Sequence, residues 1–443
     1  MKVIIVGAGE VGRVSAETIS KIHDVLVIER DESISRALKG RLNVSTLKGD
    51  GTNPKTLAYA IENHKADIII SAINNDASNL FVCIMAKRLK PEIKTVASIT
   101  DPDYRIETEG IDYIISPELV TAEKMYMLCT LENAIDYERI PGQSVSVAVF
   151  SVKPENDVVG KVVMHLNMPY GCTLFAIYRD EMMYTETETM EIHLGDHLFI
   201  FGTDDSIEKF NALMGVEYPA RNFIILGGSI VGRNVARMLA ADKRNVRIID
   251  RNEALCKEIA KTLNGVAISC ADFTDPEVQS NEGVFKADAT VATSHSDDTN
   301  LLMSMTAQRH NSRKVITRYF TKEYEDIFKY TGIETIIGYY KVVSNEVTRC
   351  AISDETAIVN SREDGDLFFI HNVDAESAVR DRYLGDLTVP DGVRLVAIRR
   401  GNNLIYPKLD TKFLQDDSII VFSSNVCRSE LNKLLGGSSV PEV

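Results

Sequence analysis

Val3-Ile4-Ile5-Val6-Gly7-Ala8-Gly9-Glu10-Val11-Gly12 opens the chain, and Phe223-Ile224-Ile225-Leu226-Gly227-Gly228-Ser229-Ile230-Val231-Gly232 repeats its plan about 220 residues later. Each stretch is a short, β-branched apolar run that enters a glycine-rich turn. A run of that kind reads as a buried parallel strand. In the first copy Gly7 permits the tight turn, Gly9 leaves room for a pyrophosphate, and Gly12 lets the next helix pack closely on the sheet. That helix, expected from Glu10 to about Ile22, aims free N–H groups and a positive dipole end at the phosphates. Val25-Leu26-Val27-Ile28 is the second strand, with Glu29 at its end. A carboxylate there accepts hydrogen bonds from ribose hydroxyls and repels a 2′-phosphate. One glycine motif is weak evidence; two, each followed by an acid at matching distance, are much stronger.

The second copy ends its second strand on Asp250, but Ser229 replaces the middle glycine. A hydroxymethyl group then points toward the phosphate path. This half is expected either to bind a nucleotide or to be a vestigial, structural copy. The duplication runs further. Gly49-Asp50-Gly51-Thr52-Asn53-Pro54 answers to Ala271-Asp272-Phe273-Thr274-Asp275-Pro276, and Asp76, Asn79 and Leu80 answer to Asp297, Asn300 and Leu301. Asp50 and Asp272 follow a third strand, so each either reaches a nucleotide or makes an Asp turn. Asp76 and Asp297 either serve the site or cap the helices that follow. Ala72 follows the fourth strand of the first copy and joins the candidate residues.

The length of 443 residues suggests several domains. The net charge of −15 argues against nucleic acid and against direct attachment to anionic lipid. No apolar run approaches a spanning helix. Met1-Lys2 leads straight into a strand, so no leader is expected. Seven cysteines are scattered without a CxxC pair, which fits reduced thiols. His193 and His197 flank a Gly195-Asp196 turn, and no metal site or catalytic residue is expected.

The predicted organisation is α/β. Two Rossmann-like, doubly wound parallel-sheet domains are each followed by a small α+β domain. The boundaries are 1–136, 137–217, 221–352 and 353–438, with Pro219-Ala220 as a linker and 436–443 as a frayed tail. A helix is expected from Pro117 to Asp136, another short one at Val158-Val159-Gly160-Lys161, and a connecting helix over Val342 to Ile352.

This pattern resembles the Trk-type potassium-uptake regulatory proteins, the TrkA family, built from tandem RCK modules. The carriers are Gly7 to Gly12, Glu29, Gly49-Asp50, Asp76 to Leu80, Gly110-Ile111-Asp112, Ser116-Pro117-Glu118 and the Gly195-Asp196 turn. The resemblance implies NAD or NADH, and also ATP or ADP, as regulatory ligands. It places Gly7, Ala8, Gly9, Glu10, Val11, Gly12, Glu29, Asp50 and Ala72 at the first site. At the second it places Gly227, Gly228, Ser229, Ile230, Val231, Gly232, Asp250, Asp272 and Arg318. It implies a homo-oligomer, a tetrameric ring, in the cytoplasm at the inner face of the membrane, held there by a potassium-transporter subunit of the TrkH or TrkG type. Members often carry an Arg at the end of the fifth strand. Ser98 stands there in the first half, with Arg105 nearby as a substitute, while Arg318 retains it in the second. The alternatives are an NAD-dependent oxidoreductase, which would need a proton-transfer group near the nicotinamide, and a regulator of another transporter or channel.

Overall fold

The structure, a computed structural model, describes residues 1–21, 23–101, 110–140, 144–215, 219–351, 367–401, 403–424 and 428–436. The first segment alternates β1 (Lys2–Val6), α1 (Glu10–Ile19), β2 (Asp24–Glu29), α2 (Glu32–Arg41), β3 (Ser45–Lys48), α3 (Pro54–His64), β4 (Ile68–Ser71), α4 (Asp76–Leu89), β5 (Lys94–Ser98) and β6 (Tyr113–Ile115). The strands form one parallel sheet in the order β3-β2-β1-β4-β5-β6. The order reverses between β1 and β4. At such a switch point the loops after the strands diverge and leave a crevice. The strands are apolar on both faces because helices cover both, and Val3, Ile4, Ile5, Ile69 and Ile70 are fully buried.

α5 (Pro117–Thr130) stops earlier than the sequence suggested. Residues expected to continue it form β7 (Ala134–Arg139), which pairs antiparallel with β8 (Ser146–Ser151). The reason is tertiary. The Tyr137 hydroxyl lies 2.7 Å from Ser146 Oγ and donates to Asp204 at 2.7 Å, and Lys124 pairs with Asp136 at 2.6 Å. β9 (Cys172–Arg179), β10 (Met182–Tyr184), β11 (His197–Gly202) and α6 (Asp204–Leu213) complete a small domain with sheet order β10-β9-β11-β8-β7. The helix expected at Val158 is a turn; one 3-10 turn follows at Val163–His165. Asp196 is buried and accepts two hydrogen bonds from Arg179, at 2.6 and 2.7 Å, so the Gly195-Asp196 turn is pinned by an ion pair.

The plan then repeats as β12 (Asn222–Leu226), α7 (Ile230–Ala241), β13 (Asn245–Asp250), α8 (Glu253–Thr262), β14 (Val266–Cys270), α9 (Pro276–Asn281), β15 (Ala289–Ala292), α10 (Asp297–Arg309), β16 (Val315–Tyr319), α11 (Glu325–Tyr330), β17 (Thr335–Gly338) and α12 (Tyr339–Ala351). The sheet order, β14-β13-β12-β15-β16-β17, matches that of the first. β18 (Leu367–Asn372), β19 (Val393–Arg400), β20 (Asn403–Ile405), β21 (Ser418–Ser423) and α13 (Arg428–Leu435) form the second small domain. Its Arg400–Asp417 pair, at 2.8 Å, repeats Arg179–Asp196.

The chain falls into two compact units, one holding both doubly wound sheets and the other both small sheets. Within the first unit α12 packs on α1. Tyr339, Val343 and Val347 share a core with Val14, Ala16 and Ile19, and Thr18 Oγ1 lies 2.9 Å from Ser344 Oγ. In the second unit Phe175 meets Phe368 and Phe422, each at 5.2 Å between ring centroids. No helix among the described residues is long and apolar enough to cross a membrane.

Candidate functional site

A crevice of about 340 Å³ opens at the switch point of the first sheet. Gly7, Ala8, Gly9, Glu29, Asp50 and Ala72, all singled out from the sequence, line it. Each glycine of the turn has a separate job. Gly7 adopts φ +93°, and a Cβ there would lie 2.8 Å from the Ala72 carbonyl oxygen. At Gly12 a Cβ would lie 2.0 Å from the Gly7 carbonyl oxygen, so only glycine lets the helix approach the strand. Gly9 is different. Its φ is −64°, and a Cβ would touch nothing closer than Asn74 Oδ1 at 3.6 Å. Its missing side chain therefore serves the open crevice rather than the fold. α1 begins at Gly9 without a side-chain cap, whereas Asp31, Asn53 and Asn75 cap α2, α3 and α4. The first-turn N–H groups of α1 thus have no side-chain cap.

Glu29 binds the turn itself. Its Oε2 accepts from the Ala8 N–H and its Oε1 from the Asp31 N–H, both at 2.8 Å. Asp50 is exposed and accepts from the Thr52 N–H and hydroxyl, which hold its carboxyl below the usual range. Asp272 makes the same turn with Thr274. Both aspartates are therefore turn-formers, and Asp50 also faces the crevice. Arg30, Ile34, Thr52, Asn74 and Ser78 line it as well. These five were not expected at the site from the sequence. Arg30 was findable, because it directly follows Glu29 at the end of β2, and Asn74 lies in the loop after β4, at the switch point.

Asp76 and Asp297 neither cap their helices nor enter the crevice. The caps are Asn75 and Ser296. Asp76 accepts from the Thr100 and Asp101 N–H groups, and Asp297 from those of Phe320 and Thr321. Each ties down the loop after the fifth strand. Asn79 and Asn300 donate to the carbonyls of Ser98 and Arg318, which confirms that those two positions correspond. Arg105 lies outside the described residues.

The second turn is more closed. Gly227 and Gly228 are buried, and a Cβ at Gly228 would meet Ile259 Cδ1 at 2.6 Å. Asp250 is buried and accepts from the Gly228 N–H at 2.7 Å. Ser229 caps α7, with its Oγ accepting from the Gly232 N–H at 3.2 Å. Val231 is wholly buried and Ile230 partly so. Arg318 is 0% exposed. It donates to the carbonyls of Thr293 at 2.7 Å and Ser294 at 3.3 Å and lies over the Phe320 ring, while its Nη1 has no partner.

Around Arg318 the two copies meet. Glu10 does not line the first crevice. It lines a second hollow of about 500 Å³ with His295, Asp297, Asp298, Phe320, Thr321 and Tyr324. Glu10 reaches solvent, yet the surrounding protein raises its carboxyl, against the pull of Arg13 and Arg318. Burial also raises Glu118, which accepts a 2.7 Å hydrogen bond from Tyr339. Burial presses the Arg318 guanidinium below its ordinary value, and the nearby Tyr339, Glu118, Glu10 and Asp297 oppose that. Val11 packs against the core shared with α12. Among the described residues no group of three or more His, Cys, Asp or Glu is placed to hold a metal.

Comparison with known proteins agrees with the duplicated plan. The TrkA-N domain matches residues 3–117 and 223–338, and the TrkA-C domain matches 147–215 and 368–434. The Trk system potassium uptake protein TrkA homolog 1 of Methanosarcina mazei is 28% identical, over 98% of this chain and 99% of its own. The Trk system potassium uptake protein TrkA of Vibrio alginolyticus is 25% identical over 96% of each chain. The structure of the GsuK RCK domain superposes with a TM-score of 0.65 at 16% identity, covering 96% of this chain and 92% of that one. The GsuK channel bound to NAD also has a TM-score of 0.65 at 16% identity, covering 98% of this chain and 78% of that one. With both domain types matched twice and in alternation, the chain belongs to the TrkA family.

Proposed function

We propose that this chain is the nucleotide-binding regulatory subunit of a potassium-uptake system, and that its ligand occupies the first crevice. The observation that carries this reading is the exposed, uncapped start of α1 beside Gly9, at the switch point of the sheet. Unsatisfied N–H groups and the helix dipole favour a pyrophosphate there. Glu29 would turn to the ribose hydroxyls, Asp50 would border the same sugar or the base, and Ala72 would sit beneath the phosphates. The ligand is NAD or NADH, or else ATP or ADP. This reading assigns no catalytic residue.

The relatives named as potassium uptake proteins match along nearly the whole chain, which supports the potassium assignment. In this reading the chain works in the cytoplasm as a homo-oligomer, a tetrameric ring, against a membrane potassium-transporter subunit of the TrkH or TrkG type. It acts peripherally, at the inner face of the membrane. A ligand shifts such a partner only by binding one arrangement of the ring more tightly, and about 1–3 kcal/mol of coupling is typical. The second turn, capped by Ser229 and filled by Ile259, binds more weakly and serves chiefly as a fixed counterpart.

Calorimetric titration with NADH, NAD, ATP and ADP tests the site. One tight site per chain is expected, and it should disappear in Gly9→Val. Potassium uptake in cells expressing the transporter with wild-type or Gly9→Val chain tests the role. Absence of binding by all four nucleotides, or uptake indifferent to the substitution, would remove the support for this reading.

A further inference from the structure

Seven cysteines looked unpatterned in sequence. Six lie among the described residues, and of these Cys270 is exposed while Cys83, Cys129, Cys172, Cys256 and Cys350 are buried. The fold brings the exposed one against a buried one. Cys270 ends β14, and Cys256 lies in the first turn of α8. Asp250 joins them. It pairs with Cys270 across the parallel ladder, and its carbonyl accepts a hydrogen bond from Cys256 Sγ at 3.3 Å. Both cysteines thus lie against Asp250, near enough for the Cys270 thiol to act on that of Cys256. Two cysteines held against the same strand residue, one from a helix start and one from a strand end, need little backbone movement to be bridged.

We propose that Cys256 and Cys270 form a reversible dithiol–disulfide pair in the second doubly wound domain, oxidised by low-molecular-weight disulfides. The chemistry is two successive exchanges. The exposed Cys270 thiolate attacks one sulfur of glutathione disulfide. The glutathione S–S bond breaks, a mixed disulfide forms on Cys270, and one glutathione thiolate leaves and takes up a proton. Cys256, as thiolate, then attacks the Cys270 sulfur. The mixed disulfide breaks, the Cys256–Cys270 bond forms, and a second glutathione leaves. Two protein thiols are oxidised, and one small disulfide is reduced to two thiols. Cys256 fits the resolving role rather than the attacking one. Burial, then the contact with Cys270, pushes its thiol up to about 11, so the second exchange speeds up as pH rises. The bridge would tie the start of α8 to the end of β14 against the backbone of Asp250, whose carboxylate holds the Gly228 N–H. The oxidation state would thereby be felt at the second glycine turn.

The test uses the full chain, reduced and then incubated with oxidised glutathione, with thiols counted after denaturation. A fall from the seven thiols of the sequence to five is expected. Peptide mapping should find the peptides carrying Cys256 and Cys270 joined, and dithiothreitol should restore all seven. Cys270→Ser should keep its thiols. Cys256→Ser should stop at a glutathione adduct on Cys270. Cys256→Ala, which keeps a small apolar side chain in the buried position, repeats that result if the serine variant folds poorly. Seven thiols retained in the wild type, a cross-link mapped to other cysteines, or a stable glutathione adduct on wild-type Cys270 would each overturn the proposal.

Discussion

The two glycine turns of this chain have the same strand order, the same asparagine clasp and an acid at the end of the second strand, yet they present different surfaces. In the first, Gly9 is exposed, α1 is uncapped and a crevice stands open. In the second, Gly228 lies against Ile259, Ser229 caps α7, and Asp250 is buried on the turn it braces. A shorter acid, a capping serine and Ile259 together turn the second copy inward. Duplication preserved the scaffold, where sterics leave no freedom, and let the ligand-facing positions diverge.

The largest expected effect falls where the halves agree. A Cβ at Gly12 would lie 2.0 Å from the Gly7 carbonyl oxygen, and one at Gly232 would lie 2.5 Å from that of Gly227. The partner is backbone in both cases, so nothing yields cheaply. Gly12→Ala and Gly232→Ala should each destabilise their domain by roughly 3 kcal/mol or more. Thermal melts of the two variants beside wild type measure it. A normal melt for either would mean that its helix can slide away from the sheet.

Arg318 tests the junction of the two halves. Removing one member of a buried charge cluster typically costs about 3–5 kcal/mol, because the remaining charges lose their partner. Arg318→Met should therefore weaken the unit that holds both doubly wound sheets. The sign of its pH dependence follows from Glu10 and Glu118, whose carboxyls are already raised. A raised carboxyl holds its proton more tightly in the folded state. Its stabilising contribution is present below the unfolded pKa and is lost as pH rises through the folded one. The variant should thus be nearest to wild type at about pH 5 and furthest from it at about pH 8. A deficit that is flat with pH would show that Glu10 and Glu118 do not feel the guanidinium.

Gly9→Val acts on the first half alone. Valine tolerates φ −64°, and the position is open, so the melt should hardly move. Nucleotide affinity should fall by about 100-fold, near 2.7 kcal/mol. A large fall in stability would show that Gly9 serves the fold after all. Glu29→Gln has a smaller effect on the same crevice. Loss of the carboxylate should narrow the preference for NADH over NADPH by about 1–2 kcal/mol, since a charge facing the 2′-phosphate is gone. Arg30 beside it already offers the opposite charge. If wild type binds both cofactors equally, Arg30 has cancelled Glu29.

The sequence carried the alternation of strands and helices, because buried parallel strands and glycine turns leave local marks. It also carried six of the crevice residues, since turn glycines and strand-end acids are set by spacing. It hid what depends on distant partners. The run from Ala134 to Arg139 continues an apolar helical pattern until Tyr137 finds Ser146 and Asp204. The grouping of Glu10, Glu118, Arg318 and Tyr339 spans more than three hundred residues and has no local period. Asp76 and Asp297 looked like caps because they stand one residue after the true ones, and only the loops that they hold reveal their task.

The smallest effect is expected at Ser229, and it is the sharpest probe of why the halves differ. Glycine in place of an N-cap serine costs only a few tenths of a kcal/mol, so Ser229→Gly should melt almost as wild type does. It frees the Gly232 N–H and removes the hydroxymethyl group, giving the second turn the Gly-x-Gly form of the first. One obstacle stays behind: Ile259 still lies against Gly228, whereas the hold of Asp250 on the Gly228 N–H only repeats that of Glu29 on Ala8. A second binding event in Ser229→Gly should therefore be weak, with a gain of only a few-fold. Ser229→Gly combined with Ile259→Ala should gain more than either change alone, because the two residues block adjacent parts of one path. Calorimetry on the four proteins, each also carrying Gly9→Val to silence the first site, reads the second turn by itself. If Ser229→Gly alone restored full affinity, the hydroxymethyl group would be the whole obstruction. If the double variant gained nothing, the closure of this half would lie in Asp250 and Arg318 rather than in the turn.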